Sequence, residues 1–467
     1  MTGRISPAIC RLDRLSNLII ADWKQISGPI PSCITSLASL RILDLVGNRL
    51  SGPLPADLGK LSHLTVLNVA DNQISAQIPK SITQISGLMH LNLASNQISG
   101  DIPSDFGNLK MLSRALLGRN QISGKIPPSI SYMNRLADLD LAENQLWGSI
   151  PAFFGSMPVL SSLYLDSNRL SGLIPPEILG SKGLGILNLS RNELTGPIAD
   201  VFTSRTYFTA LDLSYNKLTG DVPKTLSKAT FVGHLDISHN HLCGRIPAGS
   251  PFDHLEAASF ANNQISAQIP KSITQISGLM HLNLASNQIS GDIPSDFGNL
   301  KMLSRALLGR NQISGKIPPS ISYMNRLADL DLAENQLWGS IPAFFGSMPV
   351  LSSLYLDSNR LSGLIPPEIL GSKGLGILNL SRNELTGPIA DVFTSRTYFT
   401  ALDLSYNKLT GDVPKTLSKA TFVGHLDISH NHLCGRIPAG SPFDHLEAAS
   451  FASNDCLCGW PLQACRS

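Results

Sequence analysis

"ISGLMHLNLASNQISGDIPSDFGN" (residues 85–108) decides the fold, because its pattern returns along most of the chain. "LASLRILDLVGNRLSGPLPADLGK" (37–60) and "MPVLSSLYLDSNRLSGLIPPEILG" (157–180) share the form LxxLxxLxLxxNxLSGxIPxxLGx. Its asparagine falls at Asn48, Asn72, Asn96, Asn120, Asn144, Asn168, Asn192, Asn216 and Asn240, always 24 residues apart. A fixed period of this length marks a repeat architecture. Within it, LxL is a period-two strand with leucines inward and x outward. The asparagine sits where the chain leaves that strand, and its amide can serve backbone groups of its own and neighbouring coils. Glycine then relaxes the backbone, proline blocks further strand or helix, and Leu58, Phe106 or Ile178 closes the coil. One coil cannot bury its own apolar face, whereas stacked coils can. The expected fold class is therefore an α/β repeat solenoid, mostly β with short 3-10 or irregular convex segments. Its LxL strands should form a parallel sheet on the concave side.

Composition narrows the function classes. The 36 Lys+Arg nearly balance 34 Asp+Glu, with no basic stripe, so a nucleic-acid partner is not expected. No apolar run reaches membrane-spanning length. "MTGRISPAICRLDRL" (1–15) lacks the apolar stretch of a secretory leader.

The SGxIPxxLGxL segment, at Ser51–Leu61 and Ser99–Leu109, is highly specific, and the pattern covers nearly the whole chain. The chain resembles the plant-type extracellular leucine-rich repeat family, and polygalacturonase-inhibiting proteins are similar in architecture and tail. The resemblance implies a right-handed superhelix, an extracellular or cell-wall location, and a binding role without cofactors. It also implies two bridges sealing the C-terminal cap, Cys434 with Cys456 and Cys458 with Cys465. Cys10 and Cys33 lie one coil apart, where stacked coils bring cysteines within bridging range. Cys243 is the duplicate of Cys434 and is expected to remain a free thiol, matching the odd count of 7.

Residues 72–261 recur unchanged as 263–452. The expected organisation is truncated N-terminal coils at 1–36 and a first repeat block at 37–239. A former cap-approach coil follows at 240–263, then a duplicated block at 264–433 and a disulfide cap at 434–467. At the junction Asn263 takes the ladder position, 23 residues after Asn240. Leu255, Ala258 and Phe260 must then serve as inward residues.

Catalytic constellations are absent: the chain has no HExxH, Walker loop, GxSxG or paired-carboxylate cleft, so no enzyme is expected. Asp105–Gly107 spells D-F-G, but Phe106 occupies the closing slot of its coil. His239, His241 and Cys243, repeated at His430, His432 and Cys434, are metal-type ligands. Because Cys434 is expected in a bridge, no metal site is assigned.

The outward x of each LxL runs from Asp44 through Asp140 and Tyr164 to Ser450, a polar column that solvation alone would explain. The alternative is a groove for a protein or polysaccharide, anchored by Arg114, Arg119, Asp140, Tyr164, Asp166 and Tyr215. Their duplicates are Arg305, Arg310, Asp331, Tyr355, Asp357 and Tyr406. Trp147 is expected exposed at the flank. Asn188-Leu-Ser and Asn379-Leu-Ser are glycosylation sequons on the same strands. Three narrower readings are polygalacturonase inhibition, ice binding by the regular polar array, and DNA-damage tolerance. The last is carried only by the name one plant member of the family bears.

Overall fold

The computed structural model describes residues 2–247, 255–440 and 443–465. It comprises two compact units, Met1–His241 and Leu242–Ser467. In the first, ten short strands from Asn17–Ile19 and Ile42–Asp44 to Tyr207–Asp212 and Phe231–Asp236 form one parallel sheet. Leu43 pairs with Leu67, Leu67 with Leu91, and Leu139 with Leu163, so the sequence period is also the step of the ladder. In the second unit eight strands, from Ala257–Ser259 to Phe422–Asp427, keep the same register.

Most coils return through a second short strand, such as Arg49–Pro53 or Gln97–Asp101, and a 3-10 turn, such as Leu58–Lys60 or Phe106–Asn108, replaced in two coils by a short α-helix, Pro176–Leu179 and Pro367–Leu370. The second strands pair in parallel too, as Ser51 with Gln73. Leu43, Leu45, Leu50, Leu58, Leu61 and Leu64 from a single coil are all buried. Burying a leucine stabilises by roughly 1.5–3 kcal/mol, which makes stacking the dominant driving force.

Asparagines stitch the stack from within. Asn192, 8% exposed, donates from Nδ2 to the carbonyls of Leu165 (2.9 Å), Leu189 (3.1 Å) and Ser190 (3.1 Å). Its Oδ1 accepts from the Leu170 amide at 2.9 Å. The residue just before each such asparagine adopts left-handed backbone, at φ 56° for Arg119, 50° for Glu143, 53° for Arg191 and 51° for Tyr215. This conformation costs a side-chain-bearing residue about 1–2 kcal/mol, so the asparagine bonds must hold it in place.

Leu255, Ala258 and Phe260 are buried as expected of inward residues. Asn263 occupies the ladder position, its Oδ1 accepting from Leu242 N at 3.0 Å and its Nδ2 donating to Phe260 O at 3.0 Å. Residues 248–254, part of the coil expected at 240–263, lie outside the described residues. One expectation is corrected. Ser450 does not end the outward column, because Ala448–Phe451 is a 3-10 turn. The same LEAASF sequence forms strand Ala257–Ser259 where His281–Asn283 pairs with it. At 446–451 no described strand of that sheet follows, and alanines offer too little apolar surface to hold an edge strand alone.

Disulfides join Cys10 to Cys33, Cys434 to Cys456 and Cys458 to Cys465. Cys243 is the one cysteine outside these three bridges.

Candidate functional site

The parallel sheet of the first unit presents one side chain per strand in register: Asn92, Leu116, Asp140, Tyr164, Asn188, Asp212 and Asp236. Two positions upstream stand His90, Arg114, Asp138 and Ser162 on neighbouring strands. The left-handed position adds a third row, with Arg119, Glu143, Ser167, Arg191, Tyr215 and His239. That backbone conformation was not read from the sequence, because the residues before the ladder asparagines share no type: Gly47 stands before Asn48, Arg119 before Asn120 and Tyr215 before Asn216.

Asp140, Tyr164 and Asp166 come together. Asp140 accepts from the Ala142 amide at 2.9 Å, and a Cβ on Gly118 would crowd its carboxylate oxygens at 2.8 Å. Gly118 therefore lets this side chain settle onto the preceding coil. Burial pushes the Asp140 carboxyl above its ordinary value, the Ala142 amide opposes this, and Glu143 adds to the rise. Burial likewise raises Asp166, with Asp140 and Glu143 reinforcing it. The Tyr164 phenol is raised by burial first and then by Asp138, Asp140 and Asp166. The result is an aromatic seat walled by carboxylates, a setting that favours a cationic or donor-rich ligand group.

The two arginines lie beside this seat. Arg114 Nε is 3.2 Å from Asp138 Oδ2, and Arg119 Nε is 2.9 Å from Glu143 Oε1. Both pairs are exposed and contribute little to stability, so a ligand can displace them at small cost. A shallow recess of about 160 Å³ lined by Asn68, His90, Asn92, Arg114 and Leu116 adjoins them. Tyr215 is not part of the Tyr164 group: it lies two coils on, between Arg191 and His239. The duplicates repeat the pattern in the second unit. Arg305 meets Asp329, Arg310 meets Glu334, and Tyr355 lies among Asp329, Asp331 and Asp357.

Asn188 and Asn379 stand on the sheet beside these seats. Each Oδ1 accepts from the sequon serine hydroxyl, at 2.8 Å from Ser190 and 2.7 Å from Ser381. The histidine–cysteine trios take other roles in the second unit: His430 stacks on Tyr406, His432 meets Asp455 at 3.0 Å, and Cys434 is bridged. Among the described residues no cluster suited to a metal ion occurs. Phe106 of the D-F-G triplet is fully buried in its coil. Trp147 is exposed but belongs to the second row of strands, where it pairs with Arg169, and not to the face carrying Tyr164.

Comparison with known proteins fits this geometry. Leucine rich repeat family models match residues 62–122, 134–194 and 325–385, and also 39–61, 207–229, 278–300 and 398–420. A DNA damage-repair/toleration protein of Arabidopsis thaliana is 64% identical over 50 residues, which is 11% of this chain and 13% of that protein. The ectodomain of the Arabidopsis receptor kinase GASSHO1/SCHENGEN3, solved with CASPARIAN STRIP INTEGRITY FACTOR 2, superposes with a TM-score of 0.86 at 33% identity. That match covers all of this chain and 58% of the ectodomain. The plant peptide hormone receptor RGFR1, solved with RGF2, gives 0.75 at 30% identity over 97% of this chain and 82% of that one. The chain thus spans little more than half the length of the first ectodomain and a small part of the curated relative.

Proposed function

Since the chain belongs to the leucine-rich repeat family, we propose that it is a non-enzymatic binding module that recognises a peptide or protein. The ligand would sit on the outward face of its long parallel sheet, the concave face by family resemblance, in an extracellular setting. The observation that carries this reading is the Tyr164 seat: a half-buried aromatic ring with Asp140 and Asp166 both desolvated beside it. Partly desolvated carboxylates gain most from a paired cation, so the ligand should present lysine, arginine or a free amino terminus. Similar ectodomains solved with peptide ligands support a polypeptide partner. Disulfides within both units fit an oxidising compartment.

Selection of displayed random peptides on the purified chain tests the proposal. Basic peptides should be enriched, and a variant carrying Tyr164→Ala, Asp166→Asn, Tyr355→Ala and Asp357→Asn should lose them with unchanged circular dichroism. Equal binding by that variant would remove the assignment.

A further inference from the structure

The second row of strands carries a recess that the function proposed above does not use. It opens over four consecutive coils of the first unit, holds about 550 Å³, and is lined by Lys125, Trp147, Ser149, Arg169, Ser171 and Glu193 among others. Trp147 is 50% exposed, far more than a core indole tolerates. Gly148, at φ 91°, lacks the Cβ that would press on the Lys125 stem at 3.3 Å. The stem can therefore lie close, and it carries Lys125 Nζ over the indole at 4.9 Å from the ring centroid. Arg169 is the strand partner of Trp147 on the next coil and lines the same recess, so a second cation borders it. The single carboxylate lining the recess, Glu193, is engaged by Lys217 at 3.2 Å, which leaves the recess positive.

We propose that this recess is a binding site for a carboxylated saccharide, a chain of uronic-acid type. A pyranose ring offers an apolar C–H face that packs on an exposed indole. Its carboxylate would draw Lys125 and Arg169, arginine through a two-pronged contact. Ser149 and Ser171 line the recess from successive coils, and successive strands stand roughly 4.8 Å apart. That distance is close to the length of one ring of such a chain, so each coil can serve one sugar. The same residues recur in the second unit, with Lys316 Nζ 5.0 Å from the Trp338 centroid and Lys408 on Glu384. The chain accordingly carries two copies of the site.

The test is titration of the full chain with a de-esterified oligogalacturonate, read by tryptophan fluorescence and calorimetry. Three other probes run beside it: the methyl ester, a neutral cello-oligosaccharide and poly-glutamate. The de-esterified oligomer should bind, weaken steeply with salt, and perturb the indole signal. Trp147→Ala with Trp338→Ala should weaken it about tenfold or more. Arg169→Gln with Arg360→Gln should do the same and abolish preference over the ester. All these residues are exposed, and circular dichroism confirms that each variant is folded. Tyr164→Ala with Tyr355→Ala should leave oligogalacturonate binding intact, so this site and the peptide face fail separately. No binding, equal binding of ester or neutral probe, tight poly-glutamate binding, or indifference to the tryptophan pair would overturn the proposal.

Discussion

Tyr215 lies flat against His239, their ring centroids 3.9 Å apart and their planes 12° from parallel. The Arg191 guanidinium covers the ring from the preceding coil at 4.2 Å. All three precede a ladder asparagine and share left-handed backbone, so their side chains leave the stack in register. Tyr215→Ala keeps the unfavourable backbone and loses the stacking, and should destabilise by about 1–2 kcal/mol. Tyr215→Gly loses the same stacking but relieves the backbone, and should be near neutral. Denaturant melts of the two variants check the order. Alanine faring as well as glycine would mean that the left-handed turn carries no strain.

What the sequence disclosed followed from periodicity. Inward leucines and one ladder asparagine return with every coil from Asn48 on, and the Gly-x-Ile-Pro turn with most of them, so their burial and spacing could be read directly. The site was only partly legible. Tyr164 and its acidic neighbours were visible as a column, yet their mutual burial depends on Gly118 leaving room, a relation between coils that no single repeat displays. The fate of LEAASF shows the same limit: identical residues form a strand at Ala257–Ser259 and a 3-10 turn at Ala448–Phe451. A following strand in the sheet, and not local propensity, makes the difference.

Loss of a ladder amide should depend on its place in the stack. Asn192→Ala strands three carbonyls and the Leu170 amide, and should cost roughly 2–5 kcal/mol. Asn48 also donates to carbonyls, those of Ile20, Leu45 and Val46, but its buried Oδ1 accepts no hydrogen bond. Asn48→Ala should therefore cost less. Urea titrations of both variants give the comparison, and equal losses would show that the Oδ1 contact is unimportant.

Two glycines of ordinary backbone should respond very differently to alanine. A Cβ on Gly107 would overlap the Ser129 carbonyl of the next coil, whose hydroxyl also accepts from the Gly107 amide at 3.1 Å. Backbone on that side cannot yield, so Gly107→Ala should cost about 2–4 kcal/mol. At Gly185 the nearest atom, the Ser161 carbonyl oxygen, is 3.7 Å away. Gly185→Ala should change stability by less than about 0.5 kcal/mol. Thermal melts separate the two.

The raised carboxyls make a prediction with a definite sign. Asp140 and Asp331 hold their protons more tightly folded than unfolded, chiefly through burial. Their stability contribution is present below the ordinary aspartate value of 3.8 and is lost as pH rises through the folded value. Asp140→Asn with Asp331→Asn keeps an oxygen for the Ala142 and Ala333 amides while removing the buried charge. The double variant should melt higher than wild type at neutral pH, and the gap should close as pH falls below about 4. A gap that widens in acid would reverse the sign of the electrostatic argument.

Among the cap bridges, chain length between the cysteines should set their worth. Cys434 and Cys456 enclose 22 residues of sequence separation, Cys458 and Cys465 only 7. Loop-closure entropy makes the first worth about 3 kcal/mol and the second somewhat less. Cys434–Cys456 also ties the second strand His432–Arg436 to Cys456–Cys458, so its loss frees the last parallel pairing as well. Cys434→Ser with Cys456→Ser should therefore speed exchange of the Ile428 and His430 amides, whose acceptors are Ser450 and Ala452 of the cap. Cys458→Ser with Cys465→Ser should leave both amides protected, because the bridge it removes closes only the turn around Trp460. Equal exchange in the two variants would mean that the Cys434–Cys456 bridge does not anchor the final coil.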